Sequence, residues 1–166
     1  NLTILVVEDN SDLRLYLSSV LEEKYNVLLA ENGKVGLYKA RTEMPDFILT
    51  DVTMPVMDGI TMIREIKQDR TISHIPIIIL SAKASVEDQL KGFEQGVDGY
   101  LTKPFSTSYL IGRIEAAINK RKATQTDIAK MMKQNGKVGY AGKTENSGNS
   151  GNAEAAEIFQ AATEPR

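Results

Sequence analysis

Apolar residues gather along this chain in short unbroken runs that stop at polar residues, and the stretches between them carry apolar residues at three-to-four spacing. The first run, Thr3 to Val7 (TILVV), ends in Glu8, Asp9 and Asn10. Asn26 to Ala30, Phe47 to Thr50 and Ile77 to Leu80 (IIIL) follow, and Gly99-Tyr100-Leu101 makes a fifth. Runs of four or five residues, rich in β-branched members and bounded by acids, Pro or Gly, predict buried strands. Between them, Leu13, Leu17, Val20 and Leu21 predict a helix capped by Asn10 or Ser11 and ending near Glu23. Asn32-Gly33 opens a second helix through Val35, Leu37 and Ala40 to Glu43, which Pro45 closes. Asp58 opens a third, with Ile60, Ile63 and Ile66 on one side, to about Gln68. A polar loop then leads to Pro76. Ser85 caps a fourth helix with Val86, Leu90 and Phe93, which Gly96 stops, and a fifth runs from about Ser106 to Lys122 with Leu110, Ile111, Ile114, Ala117 and Ile118 inward.

Strand and helix thus alternate through about 120 residues, which predicts an α/β fold: a doubly wound parallel sheet with right-handed crossovers and helices on both faces. Composition sharpens the domain boundary. Residues 1–118 hold 12 Lys/Arg against 17 Asp/Glu, residues 119–143 hold 7 against 1, and residues 144–166 hold 1 against 4. The expected organisation is a domain over 1–122 and a helical, low-complexity tail over 123–166. In the tail, the fifth helix continues, or restarts after a break, through Thr126 to Gln134, where Ile128, Met131 and Met132 form a modest stripe that covers the domain or meets a partner; Asn146 to Asn152 (NSGNSGN) reads as linker, and Ala153 to Ala162 forms only a marginal isolated helix. An acidic body does not suggest nucleic-acid binding, while the short basic segment leaves that reading open as the minority one. The chain has no cysteine, which removes disulfides and thiolate metal sites. No apolar run nears the roughly 20 residues that span a bilayer, and no signal-peptide layout opens the chain, so no membrane contact is expected and the expected location is cytoplasmic. A start at Asn1 without Met, with strand pattern by Thr3, reads as a piece of a longer polypeptide.

In such a sheet the chemistry gathers at the C-terminal ends of the strands. There the predicted strands one, three, four and five present Glu8 and Asp9, Asp51, Ser81 and Lys103. Three carboxylates at one rim repel, which raises their proton affinity unless a cation joins them. With hard oxygens as the available donors, Mg²⁺ or Mn²⁺ is the expected ion. Lys103 and the Ser81 hydroxyl then stand where the oxygens of an incoming phosphoryl group need donors, so the set reads as one that phosphorylates its own Asp51.

Four segments, VVEDN (Val6 to Asn10), LTDVTMPVMDG (Leu49 to Gly59), IILSAK (Ile78 to Lys83) and GYLTKPF (Gly99 to Phe105), stand in an order and spacing that resembles the receiver domains of two-component response regulators, over roughly residues 2–122. The resemblance implies a flavodoxin-like (βα)5 sheet of strand order 2-1-3-4-5, the order for which a chemotaxis receiver is a standing example. It implies Asp51 as phosphoacceptor, Glu8 and Asp9 as the acidic pair serving Mg²⁺, and the Thr53 backbone carbonyl as a further ligand. Lys103 contacts the phosphoryl group, Ser81 is the switch hydroxyl, Tyr100 the aromatic switch, and Pro104 resembles the family's usual cis-proline. Thr53 and Lys83 occupy positions that tune phosphoryl lifetime. Neither places a hydrolytic water, so slow loss of phosphate is expected. The implied partner is a histidine kinase or phosphotransfer domain. The implied output is altered binding, or a homodimer, through the face of the fourth helix, fifth strand and fifth helix. The module is a signalling phosphoacceptor with no reaction beyond its own phosphorylation and dephosphorylation. The Lys-Pro-Phe-Ser junction is also found in receivers within hybrid histidine kinases or ahead of DNA-binding modules.

Two other classes stay open. A Mg²⁺-dependent phosphatase with an aspartyl nucleophile would place a second Asp two residues after the first, where this chain has Thr53. A DNA-binding response regulator would need a reading helix, for which this sequence shows no recognisable pattern. Other features read as structural. His74 belongs to a solvated loop, Met54, Met57 and Met62 to packing, and Lys120-Arg121-Lys122 to a helix terminus. GKVGYAGKT at Gly136 to Thr144 has Lys137 where a phosphate-binding loop needs its first Gly.

Overall fold

The computed structural model describes residues 1–82 and 94–140, with side chains up to Asn135. Two compact units divide the chain, Asn1–Asn119 and Lys120–Arg166.

In the first unit, five strands lie parallel in the order β2-β1-β3-β4-β5: β1 Thr3–Val7, β2 Asn26–Ala30, β3 Phe47–Thr50, β4 Ile77–Ser81 and β5 Gly99–Thr102. The three inner strands are buried almost end to end, as unbroken apolar runs require when helices cover both faces. Alternate residues serve opposite faces. Leu5, Val7, Ile48, Ile77 and Ile79 join one cluster with Leu37, Met62, Ile63 and Ile66, while Ile4, Val6, Phe47, Leu49, Ile78 and Leu80 join another with Leu17, Leu21, Leu110, Ile114 and Ile118. Each such side chain, once buried, contributes about 1.5–3 kcal/mol.

Helix α1 spans Ser11–Leu21, α2 Gly33–Glu43, α3 Gly59–Gln68 and α4 Thr107–Tyr140. The first three start where side-chain oxygens accept an orphan backbone N–H: Asn10 from Leu13, Asn32 from Val35, Asp58 from Thr61. Of the two residues offered for the first cap, the structure uses Asn10. On the outer strand β2, the Lys39 ammonium donates to the Leu29 carbonyl.

One expectation needs correction and one is extended. The stretch before Pro76 is not simply a polar loop: Ile72 and Ile75 are buried in the first cluster, because two isoleucines spaced by one turn can fold inward even among polar neighbours. Helix α4 takes the continuous course past Lys122 and extends beyond Gln134 to Tyr140. Residues 120–134 contain no Pro or Gly and are rich in Ala, Lys, Gln and Met, good helix formers that need no apolar face to stay helical. In the second unit, Thr124 and Thr126 donate to the Lys120 and Lys122 carbonyls four residues back, and Ile128, Met131 and Met132 are exposed. The predicted helix from Ser85 lies outside the described residues until Glu94, although its stop at Gly96 has the left-handed φ of +80° that favours Gly there. NSGNSGN and the Ala153 to Ala162 stretch also lie outside them. Among the described residues no helix is long and apolar enough to cross a membrane.

Candidate phosphoacceptor site

Strands β1, β3 and β5 each hand their next residue to one rim. Backbone hydrogen bonds continue the ladder one step past the strands: Glu8 N–H to the Ala30 carbonyl at 3.0 Å, Asp51 N–H to Val7 at 3.0 Å, Lys103 N–H to Ser81 at 2.8 Å. Side chains two strands apart are thereby brought together. Carboxylate oxygens of Glu8, Asp9 and Asp51 lie within 4.8 Å of one another. Lys103 reaches across from β5, its Nζ 3.1 Å from Asp51 Oδ2 and 3.4 Å from Glu8 Oε1. The Lys103–Pro104 peptide bond is cis.

Depth separates the three acids. Glu8 is only 2% exposed and Asp51 9%, while Asp9 faces solvent. Burial, followed by the Asp51 charge, lifts the Glu8 carboxyl to about 7 against the opposing pull of Lys103. One ammonium cannot neutralise three carboxylates, and a divalent cation would. The donor set, all carboxylate oxygen with no sulfur or imidazole, suits a hard metal ion.

Asp51 is held on several sides. Val52 N–H donates to its Oδ1 at 2.7 Å and the Thr50 hydroxyl donates to its carbonyl. Gly59 lies so close to that carbonyl that an added Cβ would collide with it. Ser81 ends β4 with only 8% exposure, paired in register with Thr102. Tyr100 is half-buried against the first apolar cluster. Thr53 stands exposed in the loop after Asp51, His74 is exposed, and Lys83 lies outside the described residues.

One residue near the acids was not legible in the sequence. Arg14, one turn into α1, folds back so that its Nη1 donates to the Glu8 carbonyl at 2.7 Å and to the Asp9 carbonyl at 3.3 Å. It ties down the backbone that carries both acids. A basic residue in the second turn after an acidic strand end was the available signal, but on a helix it reads as a solvated side chain.

Comparison with known proteins agrees with this geometry. The family described as response regulator receiver domain matches residues 4–115. Histidine kinase P4 of Formosa agariphila is 40% identical over 119 residues, 72% of this chain but 9% of that kinase. Response regulator PleD of Caulobacter vibrioides is 39% identical over 114 residues, 68% of this chain and 25% of that protein. The chain thus spans a small part of these relatives. Among solved structures, the signal receiver domain of a signal transduction histidine kinase from Syntrophus aciditrophicus superposes with a TM-score of 0.67 at 30% identity, covering 72% of this chain and 92% of that one.

Proposed function

Because the chain belongs to the response regulator receiver domain family of two-component systems, we propose that it takes a phosphoryl group onto Asp51 from the phosphohistidine of a kinase or phosphotransfer domain. The observation that carries this reading is the position of the Asp51 carboxylate between Lys103 Nζ, at 3.1 Å, and the Glu8 and Asp9 acids. Glu8, Asp9 and Asp51, with the Thr53 backbone carbonyl, would hold a divalent cation, Mg²⁺ or Mn²⁺ by the hardness of the donors. When bound, that cation supplies positive charge to the phosphoryl oxygens. An Asp51 carboxylate oxygen attacks phosphorus in line with the donor nitrogen. The O–P bond forms as the P–N bond breaks, and the electron pair and a proton go to the leaving imidazole. Lys103 exchanges its carboxylate partners for a phosphoryl oxygen and neutralises the charge there.

Ser81 then supplies a hydroxyl to another phosphoryl oxygen, and the half-buried Tyr100 turns further inward. Output passes through the face that includes β5 and α4, to a partner or a second copy. Thr53 and Lys83 set the lifetime of the phosphoryl group. The module is a switch rather than a turnover enzyme, and it works in the cytoplasm where the kinase's phosphohistidine is made. The phosphatase alternative lacks its second acid, since position 53 is Thr.

Incubation with Mg²⁺ and acetyl phosphate should add one phosphoryl mass to the wild type and none to Asp51→Asn. Beryllofluoride with Mg²⁺ should change the Tyr100 environment in the wild type only. An unchanged mass in the wild type overturns the reading.

A further inference from the structure

The loop that joins β3 to α3 holds Thr53, and it is braced by backbone rather than by side-chain contacts alone. Gly59 N–H donates to the Val52 carbonyl at 2.8 Å and Met57 N–H to the Pro55 carbonyl at 2.8 Å. The second bond closes a three-residue turn around Val56, whose φ is +69°. A β-branched side chain in the left-handed region is strained, and Val56 is 77% exposed, so no burial offsets that strain. The turn persists only if its surroundings hold it.

One holder comes from a different element. The N–H of Gly33, the first residue of α2, donates to the Met57 carbonyl at 2.9 Å. The approach is tight: a Cβ on Gly33 would lie 2.5 Å from the Met57 carbonyl oxygen and 2.9 Å from that of Asp58. Both are backbone atoms, which cannot swing aside as a flexible side chain can. Between Thr53 and that contact, Met54 is buried in the first apolar cluster, and on the other side of Thr53 the Val52 carbonyl is held by Gly59. Thr53 therefore lies in a segment pinned through Val52, Met54 and Met57.

We propose that Gly33 is a positioning residue for the site: its N–H clamps the loop so that the Thr53 carbonyl stays within reach of a cation held by Glu8, Asp9 and Asp51. The proposal rests on the reading of Thr53 as a metal ligand given above. Without the clamp, Val56 relaxes toward negative φ and carries the loop backbone with it. The loss of one backbone hydrogen bond that steadies a ligand should weaken the ion by about three- to tenfold.

The test is Mg²⁺ affinity by calorimetry on the unphosphorylated protein, with denaturant stability measured beside it. Gly33→Ala should raise the Mg²⁺ Kd by that factor. Gly36→Ala is the packing control: it lies on the same helix, where an added Cβ would press on the Met62 sulfur and on Val7, away from the loop. It should lower stability and leave the Kd unchanged. Adding Val56→Asn, a residue that tolerates positive φ, to Gly33→Ala should bring the Kd back toward wild type. A wild-type Kd in Gly33→Ala, an equal loss in Gly36→Ala, or no recovery in the double variant overturns the clamp.

Should Gly33→Ala not fold, the wild type decides by amide exchange. Saturating Mg²⁺ should slow the Gly33 amide at least threefold more than the Gly36 amide, by reciprocity of coupling, and equal slowing overturns the clamp. A wild type that binds no Mg²⁺ would overturn the metal reading of the site itself, a different result from normal wild-type binding with an inert Gly33.

Discussion

The rim of acids and the apolar layers beneath it are one residue apart along the same strands, yet their neighbours act on each other in opposite senses. Val7 and Thr50 are packed from every side, while Glu8 and Asp51, next in sequence, are buried beside a charge of their own sign. In the layers each neighbour adds to stability. At the rim each added carboxylate subtracts from it, and the ammonium of Lys103 offsets only part. The difference teaches where this domain keeps its stability and where it keeps an unfavourable arrangement that a cation and a phosphoryl group can relieve.

The strongest way to break the comparison is in the layers. Phe47 is fully buried on β3, and Phe47→Ala should cost about 3–5 kcal/mol in chemical denaturation. A loss below about 1 kcal/mol would mean that the strand is not the support it looks to be.

The rim gives a smaller effect with a distinctive pH signature. Glu8 ionises near 7 when folded and near 4.5 when unfolded, so the folded state holds that proton more tightly. Stability of the metal-free protein should therefore fall as pH rises from about 4.5 to 7, by about 1–3 kcal/mol, and level off above. Glu8→Gln should remove this slope, and Mg²⁺ should flatten it by favouring the ionised form. A slope that survives in Glu8→Gln would assign it elsewhere.

Least of all should depend on surface charge. The Lys24–Glu115 pair, at 3.2 Å, joins side chains that are 54% and 49% exposed. Lys24→Ala should change stability by less than about 1 kcal/mol, and less still at high salt.

The same contrast explains what the sequence made legible. The strands were readable because burial on both faces leaves a continuous apolar run, as in IIIL at Ile77 to Leu80. Glu8, Asp9, Asp51, Ser81 and Lys103 were readable because each follows such a run, so a parallel sheet must bring them to one edge. Arg14 and the Gly33 contact were not, since both act on backbone carbonyls whose location no side-chain pattern encodes. Ile72 and Ile75 were hidden by polar neighbours. For α4, apolar periodicity left open whether the helix continues past Lys122 or breaks, and the helix propensity of residues 120–134 accounts for its continuity.

Lys39 sets a limit on the sheet that has nothing to do with phosphate. An outer parallel strand offers open acceptors to any extended peptide, including the same strand of another molecule. On β2 one of these acceptors, the Leu29 carbonyl, already accepts a hydrogen bond from the Lys39 ammonium, so an arriving strand would have to displace a charge before adding itself. The sheet is thereby made self-limiting on that side, and Lys39→Ala would be the substitution that invites aggregation without touching the switch.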